Sequence, residues 1–179
     1  MAEYQIVIAG FGGQGVLFSG KVLAYAGLLE NRELSWLPSY GPEMRGGTAN
    51  CNVILSDVPV GSPIVQTPNV LMVMNNPSLD KYEDTVVPGG RIFIDSTLVP
   101  RKIRRTDVEA YYIPATKLAC DIGMPTLANM LLLGALVERT GCVSFDSIVP
   151  ALHKVIPARK ADLFDANIQA VQAGREYQK

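Results

Sequence analysis

The sequence predicts a three-layer α/β domain with a mostly parallel sheet and a helical last third packed on the same core. Three observations predict it. Short apolar runs such as Ile6-Val7-Ile8-Ala9 alternate with helix-length segments over the first two thirds of the chain. A glycine-dense turn, Gly10-Phe11-Gly12-Gly13-Gln14-Gly15, joins the first of these runs to the first helix. From Thr116 onward the pattern is helical, and those segments are too apolar to stand alone.

Tyr4 to Ala9 reads as a buried parallel strand, and Gly15 to Glu30 as a helix apolar around most of its circumference. Glu33 to Leu37 is a second strand leading into a loop. In Thr48 to Ser56, Ala49, Cys51, Val53 and Leu55 alternate with Asn50, Asn52 and Ile54, which predicts a strand with one wetter face. Residues 57–68 are rich in proline and turn formers. Val70 to Met74 is another strand, and Asn75-Asn76-Pro77 caps a short helix through about Asp84. Pro88-Gly89-Gly90 is a turn before a strand from Arg91 to Ser96, and Tyr111 to Ile113 is an edge strand. Helices follow at Thr116 to Asp121, Thr126 to Arg139, Ser144 to Val155 with Ser144 as N-cap, and Ala158 to about Glu176.

At 179 residues the chain fits one domain, 1–179, and 48% hydrophobic residues suffice for a sizeable core. A net charge of −1 does not indicate a nucleic-acid-binding field. The longest apolar run, Met130 to Val137, falls far short of the roughly 20 residues a membrane helix needs. Cys51, Cys120 and Cys142 are far apart, with no C-x-x-C spacing, so this chain alone builds neither a zinc site nor a four-cysteine iron–sulfur site. The odd cysteine count, with no secretory leader, predicts a reducing cytoplasm.

Gly10, Gly12 and Gly15 sit at the offsets of a Rossmann-like dinucleotide turn, and the following helix would aim its positive end at an anion. A dinucleotide fold also needs an acid at the end of the second strand. Here that strand ends at Leu37-Pro38-Ser39-Tyr40, and Glu30 and Glu33 come too early. Three readings stand: a free-standing nucleotide-binding enzyme, glycines that only permit tight packing, and a loop facing a ligand or partner. Gln14 fits the third, since its amide can donate to and accept from bare backbone.

A second glycine-rich segment follows, Ser39-Tyr40-Gly41-Pro42-Glu43-Met44-Arg45-Gly46-Gly47. These two strings in this order, with T-x-x-N-M-x-x-L-G at Thr126 to Gly134, resemble the gamma subunit of the 2-oxoacid:ferredoxin oxidoreductases, closest to the 2-oxoglutarate type. The resemblance spans essentially the whole chain, as one gamma-type domain. It implies a non-catalytic component of an enzyme that converts 2-oxoglutarate, coenzyme A and oxidised ferredoxin to succinyl-CoA, CO2 and reduced ferredoxin. Pyruvate- and indolepyruvate-type members are alternatives. It implies alpha and beta partner subunits, with delta a further candidate, and ferredoxin reached through the complex. It places thiamine pyrophosphate, Mg and 4Fe-4S clusters on the partners. This sequence agrees in lacking a G-D-G…N-N thiamine signature and cluster cysteines.

The resemblance also implies loops near a shared coenzyme A. Gly10, Phe11, Gly12, Gly13, Gln14, Gly15, Tyr40 and Arg45 are the candidates for coenzyme A or a subunit interface, with no catalytic and no metal residue assigned. Backbone N–H groups of the turn suit a phosphate, and the Arg45 guanidinium suits a phosphate or a carboxylate. Tyr40 offers a flat face and a hydroxyl. Glu43 and Arg45 read either as interface residues or as an internal ion pair. Among the remaining residues, His153 reads as a surface or packed histidine, the cysteines as small core residues, and Arg101 to Arg105 as a solvated loop face. Asp95 reads as a sheet-end ligand group or a cap for the turn that follows.

Overall fold

The computed structural model describes residues 3–40 and 48–177. Its strands are β1 (Tyr4–Phe11), β2 (Glu33–Tyr40), β3 (Thr48–Ser56), β4 (Val70–Val73), β5 (Arg91–Asp95) and β6 (Glu109–Ile113). Its helices are α1 (Val16–Leu29), α2 (Asn76–Tyr82), α3 (Ala115–Asp121), α4 (Ala128–Thr140), α5 (Ile148–Val155) and α6 (Phe164–Glu176). The predicted elements are all present, with ends shifted by a few residues. Ser144 does act as a cap, but of a 3₁₀ turn, Phe145–Ser147, that precedes α5. A 3₁₀ stretch, Ala158–Leu163, likewise takes the first part of the last predicted helix.

The sheet order is β2-β3-β1-β4-β5-β6. β1, β4, β5 and β6 pair in parallel, and β3 pairs antiparallel with both β1 and β2. The second strand therefore differs from its expected form. It runs on to Tyr40 and returns as a hairpin, which seats β3 between β1 and β2. Residues 41–47 are too few for a parallel crossover, which takes about a dozen. Pro38 is tolerated inside β2 because that strand is the sheet edge.

Alternate residues feed two cores. Ile6, Ile8, Val53, Leu55, Met72 and Phe93 meet side chains of α1, α4, α5 and α6 on one face. Val7, Ala9, Ile54, Leu71, Val73 and Ile92 face the other way, under Leu79 of α2 and the loop residues Val65, Val86 and Val99. The three layers are thus unequal: a thick helical layer, and a thin one of a single short helix plus loops.

α4 is the central helix of the thick layer, buried continuously from Ala128 to Val137 and closed by Gly141 at φ 62°. It lies along α6. Glu138 pairs with Arg175 at 3.0 Å, and Gly134 meets the Val171 carbonyl further back, so the two helices run parallel and begin at the same end.

The basic segment is not a solvated face. Glu83, whose side chain is 0% exposed, accepts from the Arg104 amide and pairs with Arg101 at 2.9 Å. Arg101 also holds Asp80 at 2.7 Å, and Arg105 holds Asp107 and donates to the Val86 carbonyl. A buried carboxylate has drawn the arginines inward, which composition alone does not show. Burial on its own would raise the Glu83 pKa, but the Arg104 N–H and the Arg101 guanidinium outweigh it and hold the group below the ordinary glutamate value. Its contribution is therefore full above that ordinary value and is lost as pH falls through the depressed one. We expect Glu83→Gln to cost about 2 kcal/mol at neutral pH. The gap to the parent should narrow between about pH 5 and pH 3, measured by urea unfolding. A gap constant with pH would show that Glu83 is not held charged.

Cys51 and Cys142 are core residues as expected, and burial pushes their thiols up to about 12 and about 11. Cys120 is exposed on α3, contrary to that expectation, because its position on the short helix faces away from the sheet while Ala115 and Ala119 are buried.

Candidate functional site

The Gly10–Gly15 turn sits at the C-terminal end of β1 and is fastened from within by Gln14. The Gln14 backbone N–H donates to the Phe11 carbonyl at 3.2 Å. Its side-chain Oε1 accepts from the Phe11 N–H at 2.6 Å, and its Nε2 donates to the Met74 carbonyl at 3.1 Å. The amide thus ties the turn to the strand end next door, with both of its polar groups engaged by backbone. Gly10 makes room for this, since a Cβ there would lie 2.6 Å from Gln14 Oε1. Phe11 is 37% exposed, Gly12 is half-buried, and Gly13 stands at φ 94° in open space.

Gly15 caps α1 in the left-handed region at φ 76°, with no side-chain cap and no acid in the first turn. The first N–H groups of α1 therefore have no side-chain partner, and they carry the positive end of the helix dipole. Asn129 of α4 packs directly on Gly15. Its Nδ2 donates to the Gly15 carbonyl at 3.1 Å and to Ser19 Oγ at 3.0 Å. Ser19 in turn donates to Met130 Sδ at 3.8 Å. A cavity of about 300 Å³ opens here, lined by Gly13, Gly15, Phe18, Leu127, Asn129 and Lys160 among others.

The strand register brings the stems that flank the second glycine segment to the same place. Phe11 pairs with Thr48 and Tyr40 pairs with Ala49, so both stems of the second loop leave the sheet beside the first turn. Tyr40 is the last residue of β2. Glu43 and Arg45 lie outside the described residues. The first turn, the stems of the second loop and Asn129 of the third motif, spread over more than 100 residues of sequence, therefore meet at one end of the sheet. Sequence reading named all three, but it missed the Asn129–Gly15 contact that joins the first to the last. The signal lay in one asparagine, Asn129, inside an otherwise apolar run from Ala128 to Val137.

Other expected residues fall elsewhere. Asp95 accepts from the Thr97 N–H at 3.1 Å and from the Thr116 N–H at 3.2 Å, so it caps the turn after β5 and the start of α3. His153 is exposed on α5 and stacks on Phe164 at 3.7 Å between ring centres. Among the described residues no three His, Cys, Asp or Glu side chains gather as a metal site, and no helix is long and apolar enough to cross a membrane. The ribose carboxylate of a dinucleotide site depends on a second strand lying parallel beside the first. Here the antiparallel β3 occupies that place, and β2 lies two strand spacings from β1, about 10 Å.

Residues 5–177 match the family model "Pyruvate ferredoxin/flavodoxin oxidoreductase". The chain is 42% identical over 177 residues to the ketoisovalerate oxidoreductase subunit VorA of Methanothermobacter thermautotrophicus, covering 98% of this chain and 36% of that one. It thus spans about a third of the length of that relative. It is 36% identical over 178 residues to the 2-oxoglutarate synthase subunit KorC of Methanocaldococcus jannaschii, covering 98% and 94%. The fold matches the keto/oxoacid ferredoxin oxidoreductase gamma subunit of Geobacter sulfurreducens with a TM-score of 0.82, at 30% identity over 97% and 96% of the two chains. It also matches 2-oxoglutarate:ferredoxin oxidoreductase from Magnetococcus marinus with 2-oxoglutarate, coenzyme A and succinyl-CoA bound. There the TM-score is 0.87 and the identity 25%, over 98% of this chain and 31% of that one.

Proposed function

Since the chain belongs to the pyruvate ferredoxin/flavodoxin oxidoreductase family, we propose that it is the gamma subunit of a 2-oxoacid:ferredoxin oxidoreductase that shapes the coenzyme A side of a shared active site. One observation carries this reading. The Gln14-clamped turn, the stems of the second loop and Asn129 converge beside a cavity and an uncapped helix N-terminus. Such a place suits an anion, and we assign no acid, base or nucleophile among its described residues. The chemistry then belongs to partner alpha and beta chains, where thiamine pyrophosphate with its Mg would stabilise the carbanion and 4Fe-4S clusters would carry electrons to ferredoxin. What this chain supplies is fixed backbone: N–H groups held still by Gln14, and a wall against water.

The substrate we favour is 2-oxoglutarate, because the KorC relative matches along nearly its whole length. A branched 2-oxoacid is the second reading, favoured by the higher identity to VorA. Assay of the purified complex with 2-oxoglutarate and with ketoisovalerate decides between them by the ratio of kcat/KM.

The coenzyme A role is tested in the same complex with Gly12→Ala and Arg45→Ala. We expect assembly and kcat to hold while KM for coenzyme A rises about tenfold, the equivalent of roughly 1.4 kcal/mol. Weakened assembly with an unchanged KM would instead make these loops a docking surface alone.

A further inference from the structure

The last strand of the sheet has an open side. β6 ends the order β2-β3-β1-β4-β5-β6, so only β5 pairs with it. Its register fixes which backbone groups turn outward. The Glu109 N–H donates to the Gly90 carbonyl at 2.9 Å, and the Ile113 carbonyl accepts from the Ser96 N–H at 2.9 Å. Residues 109, 111 and 113 therefore turn both polar groups toward β5, and Ala110 and Tyr112 turn theirs away. Among the described residues no backbone group pairs with those outward N–H and C=O groups. The opposite edge, β2, is guarded by Pro38, whereas β6 contains no proline.

The charges around this edge have one sign to spare. Tyr111 and Tyr112 point to opposite faces of the sheet, as neighbours in a strand do, and each carries a cation over its ring. The Arg139 guanidinium lies 5.5 Å from the Tyr111 ring centre, and Lys102 Nζ lies 3.6 Å from that of Tyr112. Both cations are exposed, and among the described residues no carboxylate pairs with either. The nearby carboxylates are already engaged: Glu109 by Arg91, Asp107 by Arg105 and Glu138 by Arg175. A hollow of about 500 Å³, lined by Tyr111, Glu138, Arg139, Arg175 and Tyr177, opens on the helical face beside the strand. Side chains of a strand added here would alternate between that hollow, with Arg139, and the other face, with Lys102. A second copy of this chain fits poorly. A two-fold axis at so short an edge would set the Arg139 of one copy against the Arg139 of the other.

We infer that an acidic extended segment of a partner subunit adds to β6 as a further strand of the sheet. Its backbone closes the open groups of Ala110 and Tyr112. One carboxylate enters the hollow toward Arg139, and the next, on the opposite face, meets Lys102. This rests on the subunit reading above but not on its coenzyme A part, and it goes further by naming the edge and the chemistry of what binds there. A lasting neighbour, rather than a transient visitor, fits the VorA relative. There the matched stretch is 36% of a longer chain, so further polypeptide stands beside it.

The test compares amide hydrogen exchange, resolved by residue, in the free chain and in the assembled oxidoreductase. We expect Ala110 and Tyr112 to exchange about tenfold more slowly, or slower still, in the complex, with Tyr111, already turned to β5, changing little. In the same complex, Lys102→Gln together with Arg139→Gln should weaken association of this chain about tenfold and flatten its dependence on salt. Both side chains are exposed, so neither substitution disturbs the core. A complex that assembles and turns over while Ala110 and Tyr112 exchange as in the free chain overturns the inference and leaves the subunit reading in place. So does protection that ignores the alternation, or an association indifferent to the two cations. Protection of the pair that grows with the concentration of the free chain makes the occupant a second copy. Protection that appears only on adding ferredoxin makes it the electron carrier. Either result overturns the assignment to a partner subunit. If the chain joins no alpha or beta chain at all, the subunit reading falls and this inference with it.

Discussion

Gly174→Ala is expected to lower the stability of the chain by a net of about 2 kcal/mol. A Cβ at Gly174 would drive into the Leu131 carbonyl of α4, and one at Gly134 into the Val171 carbonyl of α6, both well inside van der Waals contact. The obstacle in each case is backbone, which cannot rotate away as a side-chain tip can. The two helices must separate, and overpacking of this kind costs up to about 3 kcal/mol. Alanine in a helix interior returns roughly 1 kcal/mol through propensity, so the clash wins but not by its full size. For a chain of this length the midpoint should fall by roughly 4 to 8 °C. Gly134→Ala should behave alike, and the double variant should cost less than the sum because one separation relieves both contacts. A stabilised Gly174→Ala protein would mean that the helices do not touch here, and the shared start of α4 and α6 at the cavity would lose its support.

Much of this arrangement was legible before any coordinates. The strands and helices have local causes: the Ile/Val runs of β1, β4 and β5, the alternation of β3, and Asn75 as a cap whose side chain accepts from the Ser78 N–H at 2.8 Å. The glycine turn was legible because its residues are unusual together and adjacent in sequence. What escaped is long-range. Nothing local says that β2 folds back rather than crossing over; that follows from the shortness of residues 41–47 and from an edge able to hold Pro38. Nor does a run of arginines announce a buried Glu83, since the carboxylate lies about 20 residues upstream and only the fold brings them together. The site was half legible for the same reason. Gln14 fastens a turn within its own motif and one neighbouring strand, whereas Asn129 reaches Gly15 across 114 residues.

The glycines of the turn separate two physical demands, and substitution can tell them apart. Gly13 and Gly15 both have positive φ, at 94° and 76°, so alanine at either position costs about 1 to 2 kcal/mol in backbone strain alone. Space differs. A Cβ at Gly13 meets nothing within 4 Å, whereas one at Gly15 would lie 2.5 Å from Asn129 Nδ2. Gly15→Ala therefore also pushes Asn129 off the Gly15 carbonyl and Ser19, at about 1 kcal/mol for each bond lost. We expect about 1 kcal/mol for Gly13→Ala and about 3 kcal/mol for Gly15→Ala, read from urea unfolding. The cause is isolated by repeating Gly15→Ala in an Asn129→Ala background. With the amide gone only the strain remains, so the cost of the added methyl should fall by about two thirds. An unchanged cost would show that Asn129 is not what keeps a side chain out of position 15. The geometry that ties α4 to the glycine turn would then have to be redrawn, and with it the placement of Asn129 beside the start of α1.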